Sequence, residues 1–279
     1  MTRDHGVMSM ELFERIINDA KGLISVEFIT HGGMGEPLRD DFLTEKIALE
    51  KSVLNAQVQV HTNGSLLDEE NIRKIFASKL DVLSISLNAF HAMTHKNTTG
   101  LDYEMVRRNI EAVFSLKEKL KAKTQIRVTM VRIKDMPQKE IDNFQNYWKQ
   151  FTPHVSVHPM KNWAYFGTNI VKGRKYPCKW VWYMMSINWD GKVNICHEDF
   201  DGRIVIGDLA KERIVDVFNC ETIQKVRKHF YNTGEPLLDI CKDCSRLQMD
   251  KFWWYNAEVS SMRDGTTKYS EPLHGGVCW

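Results

Sequence analysis

The sequence predicts an α/β fold, a parallel sheet with crossover helices followed by a smaller part built on a β-hairpin. Three observations carry this. Helix and strand patterns alternate as α-β-α-β-α-β-α-β-α-β up to about residue 160, and alternation at that spacing favours parallel strands joined by helices, in an open sheet or a closed barrel. A glycine-rich stretch, His31-Gly32-Gly33-Met34-Gly35-Glu36-Pro37-Leu38, follows the first strand of the series. None of the six cysteines occurs before Cys178; Cys178 and Cys196 then flank an Asp190-Gly191 turn, and Cys241 and Cys244 form a C-x-x-C.

Taken in order, Met10, Phe13, Ile16, Ile17 and Ala20 recur at helical spacing, with Ser9 as N-cap and Gly22 as a stop. Ser25 to Thr30 reads as a strand, which the glycine-rich turn and Pro37 end. Asp40 and Asp41 open a helix running to about Lys51, and Val58 and Val60 mark a strand ending at His61-Thr62-Asn63-Gly64. Asp68 caps a helix carrying Ile72, Ile75 and Phe76, and Val82 to Leu87 is the next strand. Tyr103 to Lys121 is a long amphipathic helix with Val106, Ile110, Val113 and Leu116 on one side. Ile126 to Ile133 is a strand, Pro137 starts a helix where its missing N–H costs little, and Val155 and Val157 suggest a last strand. The series opens with a helix where the alternation asks for a strand, so a first strand and its loop are expected to be missing.

Beyond Lys161 the composition changes. Aromatic residues crowd together at Trp163, Tyr165, Phe166, Tyr176, Trp180, Trp182 and Tyr183. They line a substrate pocket or pack between two parts of the chain; the pattern does not choose. Met184 to Ile187 and Val193 to Ile195 flank Asn188-Trp189-Asp190-Gly191 as a hairpin. One helix is expected from Ile214 to about Tyr231, and the stretch beyond Asn256 is polar and glycine-rich.

Composition excludes several function classes. The 279 residues are 43% hydrophobic and 27% charged, with 38 basic and 36 acidic side chains. That balance gives no electrostatic case for nucleic acid or a membrane surface. No apolar run approaches the length of a membrane span, and Met1 to Gly6 lacks the apolar core of a signal peptide. A cytoplasmic, reducing location is the expectation, in which cysteines bind metal more often than they form disulfides.

Two motifs carry chemistry. The glycines of the turn let the backbone bend sharply or a ligand approach closely, and Glu36 is left at the carboxyl end of a parallel strand, where ligands of α/β proteins sit. Read alone, the stretch is a weak signal, since a glycine-rich turn after a strand is common punctuation. The cysteines speak more strongly. C-x-x-C puts two thiolates on one turn, and Cys178 and Cys196 complete a set of four for an iron–sulfur cluster or a structural zinc, between which spacing does not decide; the plainer reading makes them unrelated buried thiols. Cys220 falls inside a helical pattern, Phe218 to Val226, as a core residue, and Cys278 is read as a spare thiol.

Together these two constellations resemble the radical S-adenosylmethionine (radical SAM) enzymes that carry a carboxy-terminal SPASM or Twitch extension, over about Gly6 to Arg246. The carboxy-terminal part carries the resemblance most specifically: Cys178, Asp190-Gly191, Cys196, Gly207-Asp208-Leu209, Arg227-x-His229 and Cys241-x-x-Cys244. The resemblance implies a partial (β/α)6 barrel over 1–160 without its first strand, a small α+β extension over 161–256, and a polar tail over 257–279. Four cysteines resemble the single-cluster Twitch version, so Cys178, Cys196, Cys241 and Cys244 are the implied ligands of one auxiliary 4Fe-4S cluster. Gly33-Met34-Gly35-Glu36-Pro37 is similar to the family's motif for the amino group of S-adenosylmethionine, with a backbone contact from Gly35 and a side-chain contact from Glu36. Thr62-Asn63-Gly64 is similar to the following strand end, and Ser86 and Asn88 match positions that touch the ribose or the methionine carboxylate, or else simply cap their strand.

One departure is large. The family holds its catalytic cluster on a C-x-x-x-C-x-x-C loop, and no cysteine occurs before Cys178. His5, His31, His61, His91 and His95 are scattered over different elements and do not replace it. The expectation is therefore an amino-terminal truncation, natural or from gene calling, inactive by itself in cleaving the cofactor. The implied function is hydrogen abstraction from a peptide, protein or small molecule, with electrons from a flavodoxin- or ferredoxin-type donor. The alternative is a non-catalytic or partner-dependent barrel with a structural iron–sulfur or zinc site. Glu198 and Asp199, beside Cys196, are candidates for a general base, against the plainer reading of a solvated loop.

Overall fold

The computed structural model describes residues 2–23, 26–160, 178–242 and 244, with the backbone of 275–278. Trp163, Tyr165, Phe166, Tyr176 and nearly all of the 257–279 tail lie outside the described residues. The chain forms two compact units, one from Phe28–Met160 and one from Met1–Glu27 together with Lys161–Trp279. Residues 2–23 thus fold with the cysteine-bearing part of the chain.

The first element is α1 (Met10–Ala20), where Ser9 Oγ accepts from Leu12 N at 3.2 Å and Phe13, Ile16, Ile17 and Ala20 are buried. In the continuous unit, strands β1 (Val26–His31), β2 (Gln57–Thr62), β3 (Val82–Ser86), β4 (Gln125–Arg132) and β5 (Val155–Pro159) lie in sequence order, all parallel. The crossovers are α2 (Leu43–Val53), α3 (Glu69–Ala77), α4 (Ala92–Thr99), α5 (Tyr103–Leu120) and α6 (Gln138–Trp148). Val58, Val60, Leu83, Ile85 and Val128 are fully buried, as are Val106, Ile110 and Val113 of α5 and Trp148 of α6. Such near-continuous apolar strands are expected where helices cover a parallel sheet.

Two local features differ from expectation. β1 ends at His31, and Pro37 instead begins a single 3-10 turn, Pro37–Arg39, with Glu36 as its cap. Helix α4 has no counterpart in the sequence reading, because His95 is its single buried residue and its apolar periodicity is nil. Its N-terminal end is secured instead by Glu140 of α6, whose carboxylate accepts from Phe90 N at 2.9 Å and His91 N at 3.1 Å.

In the other unit, α7 (Trp180–Tyr183) leads into β6 (Met184–Ile187), β7 (Lys192–Asn194) and β8 (Val205–Asp208), an antiparallel ladder. The hairpin turn closes through Gly191 N to Asn188 O at 2.9 Å, with Gly191 at φ +84°. Next come α8 (Ile214–Phe218), α9 (Glu221–Thr233), α10 (Asp239–Lys242) and β9 (Gly275–Cys278), whose backbone runs parallel to β6. The single helix expected from Ile214 is two helices: the chain breaks at Asn219, and Cys220 takes the extended N-cap conformation of α9 instead of a mid-helix position.

Residues 2–23 are tied to this hairpin unit by named bonds. Thr2 N donates to Asp201 Oδ1 at 2.7 Å, Trp189 Nε1 donates to Asp4 O at 3.1 Å, and Arg15 Nε donates to Leu209 O at 3.0 Å. Asp19 accepts from Ile214 N at 2.6 Å and Arg213 Nε at 3.1 Å, capping α8 from another element. The apolar centre of the unit gathers Cys178, Val181, Trp182, Ile195, Ile223, Val226 and Phe230.

Candidate functional site

Two sites stand out, one in each unit. In the continuous unit the turn after β1 runs through Gly32 and Gly33, the latter at φ +114°, a conformation that side-chain-bearing residues rarely adopt. The turn brings Glu36 to the carboxyl end of β2. Glu36 Oε1 accepts from Thr62 Oγ1 at 2.7 Å and Leu38 N at 3.2 Å, and Oε2 accepts from Asn63 N at 2.8 Å. The carboxylate is therefore fixed by three donors. Gly64 follows at φ +78°, and a Cβ there would stand 3.1 Å from both Ile85 Cγ2 and Val106 Cγ1, so the close approach of α5 and β3 requires glycine.

Ser86 and Asn88 lie two strands across, at the same end of the sheet. Ser86 Oγ donates to Asn88 Oδ1 at 3.0 Å, and the same oxygen accepts from Val131 N at 3.0 Å. These bonds perform the strand-end capping weighed above. Gly35 has open space around its Cα, and Pro37 opens the 3-10 turn. One feature escaped the sequence reading: His31 Nε2 meets Glu50 Oε2 at 2.9 Å, with side chains 8% and 0% exposed. Glu50 lies on α2 one turn beyond Lys46, which is buried as well and bound to Asp40 at 2.6 Å.

In the hairpin unit, Cys178, Cys196, Cys241 and Cys244 all line one cavity, together with Trp180, Val181, Ile195, Glu198, Leu238 and Ile240. The cysteines come from three local features. Cys178 precedes α7, Cys196 follows β7, and Cys241 sits in α10, where Cys244 N bonds to Cys241 O at 3.3 Å to close the C-x-x-C turn. Cys196 Sγ accepts from Glu198 N at 3.3 Å. Burial pushes the Cys196 thiol well up, with Cys178 beside it adding to the effect. Burial likewise pushes Cys241 up to about 12, with Cys178 and Cys244 as like-charged neighbours. Thiols crowded in an apolar pocket resist ionising unless a cation shares the space.

The donor set suits a thiolate-bound metal centre: four sulfurs in apolar surroundings. Among the described residues no group of three or more His, Cys, Asp or Glu is arranged to hold a metal ion as it stands. The enclosed space is about 20 Å³, room for one water-sized particle.

Glu198 and Asp199 are not on a solvated loop; they are 2% and 0% exposed. Asp199 accepts from Arg203 N at 3.0 Å and Ile204 N at 2.8 Å, so its oxygens hold the loop after β7. Glu198 lines the cysteine cavity, with Oε1 3.1 Å from His197 Nε2. Cys220 packs at the edge of the apolar centre without lining the cavity.

Two family models match the chain. Residues 1–157 match the model of the radical SAM superfamily. Residues 178–245 match the model of the SPASM iron–sulfur cluster-binding domain. An uncharacterized protein of Methanocaldococcus jannaschii is 37% identical over 81 residues, 29% of this chain and 28% of that relative's length. Among solved structures, anSMEcpe with bound AdoMet and a peptide is similar at a TM-score of 0.61 and 15% identity, covering 87% of this chain and 82% of that one. Streptococcus suis SuiB bound to precursor peptide SuiA has a TM-score of 0.61 at 12% identity, over 89% of this chain and 65% of SuiB. BtrN in complex with AdoMet and 2-DOIA has a TM-score of 0.57 at 15% identity, over 87% of this chain and 82% of BtrN. At such identities the likeness is one of fold.

Proposed function

The chain belongs to the radical SAM superfamily of enzymes and carries a SPASM-type domain, and on that premise we propose that it takes part in hydrogen abstraction from a peptide, protein or small-molecule substrate, with one auxiliary 4Fe-4S cluster on Cys178, Cys196, Cys241 and Cys244. The observation that carries the proposal is the convergence of these four sulfurs on one apolar cavity. When bound, a cluster there supplies one-electron chemistry or an anchoring iron.

In the other unit we assign S-adenosylmethionine to the carboxyl ends of β1 to β3. Gly33, Gly35 and Pro37 shape the turn, Glu36 presents a fixed carboxylate to the ammonium group, and Asn63, Ser86 and Asn88 offer polar groups to the ribose and carboxylate. The support is electrostatic. A cation taken out of water needs carboxylate and carbonyl neighbours, and Glu36 is held by Thr62, Asn63 and Leu38 without a basic side chain among these partners. Peptides bound in the solved anSMEcpe and SuiB structures favour a peptide among the substrate classes. A flavodoxin- or ferredoxin-type protein is the proposed electron donor.

A second reading is favoured by one observation. The 177 residues before Cys178 contain no cysteine, so these residues offer no C-x-x-x-C-x-x-C for the catalytic cluster. On that observation the second reading is a partner-dependent or non-catalytic barrel. Anaerobic reconstitution with S-adenosylmethionine and a strong reductant separates the two. Release of 5′-deoxyadenosine supports catalysis by this chain, and binding of the nucleoside without its cleavage supports the partner-dependent reading. Among the described residues, no helix is long and apolar enough to cross a membrane.

A further inference from the structure

Glu198 and His197 sit against the cysteine centre and play no part in the reading above. Glu198, 2% exposed, shares the cavity wall with all four cysteines. Its backbone N–H is on Cys196 Sγ at 3.3 Å, and its Oε1 is 3.1 Å from His197 Nε2. The other ring nitrogen, His197 Nδ1, is 3.8 Å from Cys196 Sγ. Trp180 packs edge-on to the imidazole with ring centroids 5.7 Å apart, limiting its rotation. An imidazole therefore stands between a ligand sulfur and a buried carboxylate.

A buried carboxylate is costly and is kept only where something compensates. A role as general base for substrate is poorly served by an acid enclosed in the wall of the cysteine cavity. Its neighbours there are sulfurs. The reduction potential of a thiolate-bound iron–sulfur centre depends on local charge, on hydrogen bonds to its sulfurs and on solvent exposure. At short range and low dielectric a single charge acts strongly.

We propose that Glu198 and His197 form a potential-setting pair for the centre held by Cys178, Cys196, Cys241 and Cys244. The carboxylate disfavours the added electron, and the imidazole, donating Nε2–H to the carboxylate, draws off part of that charge and so favours it. This rests on the reading of the four cysteines as ligands of a redox-active cluster.

The test is a potentiometric titration of the anaerobically reconstituted full chain, followed by electron paramagnetic resonance, with iron and sulfide measured on the same samples. Glu198→Gln keeps the N–H on Cys196 Sγ and an oxygen for His197 while removing the charge. It is expected to shift the reduction equilibrium at least tenfold toward the reduced form, about 59 mV for a one-electron couple. His197→Gln, which leaves the carboxylate without its partner, is expected to shift it at least threefold the other way. Glu221→Gln, on the exposed face of α9 and paired with Lys225, is expected to leave it unchanged. Wild-type iron content with a Glu198→Gln potential within threefold of wild type overturns the proposal while leaving the cluster reading intact. Where Glu198→Gln holds no iron, His197→Gln decides: an unshifted or positively shifted potential overturns the pair. A wild-type chain that binds no iron removes the cluster reading itself.

Discussion

At the scale of single residues, the carboxylate of Glu36 is the clearest case of a side chain placed by its neighbours. Glu36→Ala leaves Asn63 N and Thr62 Oγ1 without their acceptor, a loss of about 1 kcal/mol for each such partly buried donor. The account expects equilibrium binding of S-adenosylmethionine, measured calorimetrically on protein shown to be folded, to weaken tenfold or more; equal affinity would count against the ammonium assignment. His95 offers a second check. It is 0% exposed, neither ring nitrogen has a hydrogen-bond partner among the described residues, and it meets the Tyr103 ring edge-on at 5.8 Å. Burial lowers its pKa from the usual 6.5, with Asp102 acting the other way. The unfolded chain therefore takes up this proton first, so stability falls as pH drops through 6.5 toward the lower folded-state value. Urea unfolding at about pH 7.5 and pH 5 should show a larger loss for the wild type than for His95→Leu; equal losses would refute the assignment. Glu36 was legible in the sequence because glycines and a proline bracket it. The His31–Glu50 pair was not, because its members lie on separate elements and nothing periodic links them.

At the scale of elements, termini with a local cap were legible and those capped from elsewhere were not. Ser9 and Asp68 announce α1 and α3 because each bonds its own helix, at 3.2 and 2.8 Å. Helix α4 depends on Glu140, fifty residues away in sequence from Phe90, and its own residues carry no amphipathic signal. Helix α8 likewise borrows Asp19 from α1. Asp19→Ala should cost about 1–2 kcal/mol, since it removes a cap and a buried-side acceptor. Arg213→Ala should cost under about 1 kcal/mol, because that side chain is largely exposed. Denaturant unfolding of the two variants checks the order, and an equal or reversed cost would contradict the capping role. The break between α8 and α9 was missed for a related reason. Ile214, Val217, Phe218, Ile223 and Val226 are all buried, so the apolar pattern runs across the break, and only the backbone at Asn219 and Cys220 interrupts it.

At the scale of the whole molecule, the alternation of helix and strand was enough to foresee a parallel sheet, and the cysteine spacing was enough to pick out the four cysteines that line one cavity. The affiliation of residues 2–23 with the hairpin unit was not foreseeable, since it rests on bonds such as Trp189 to Asp4 and Arg15 to Leu209 that span most of the sequence. A metal centre that binds the folded chain also stabilises it. Reconstituted protein should therefore melt higher than metal-free protein, and Cys241→Ser should abolish that difference; a difference that survives Cys241→Ser would place the metal elsewhere. The central claim is that Cys178, Cys196, Cys241 and Cys244 grip a single iron–sulfur centre, and the most direct measurement is metal and sulfide content after anaerobic reconstitution. The account predicts about four iron and four sulfide per chain, lost on replacement of Cys241 and Cys244 by serine. Zinc retained at these cysteines in place of iron would contradict it.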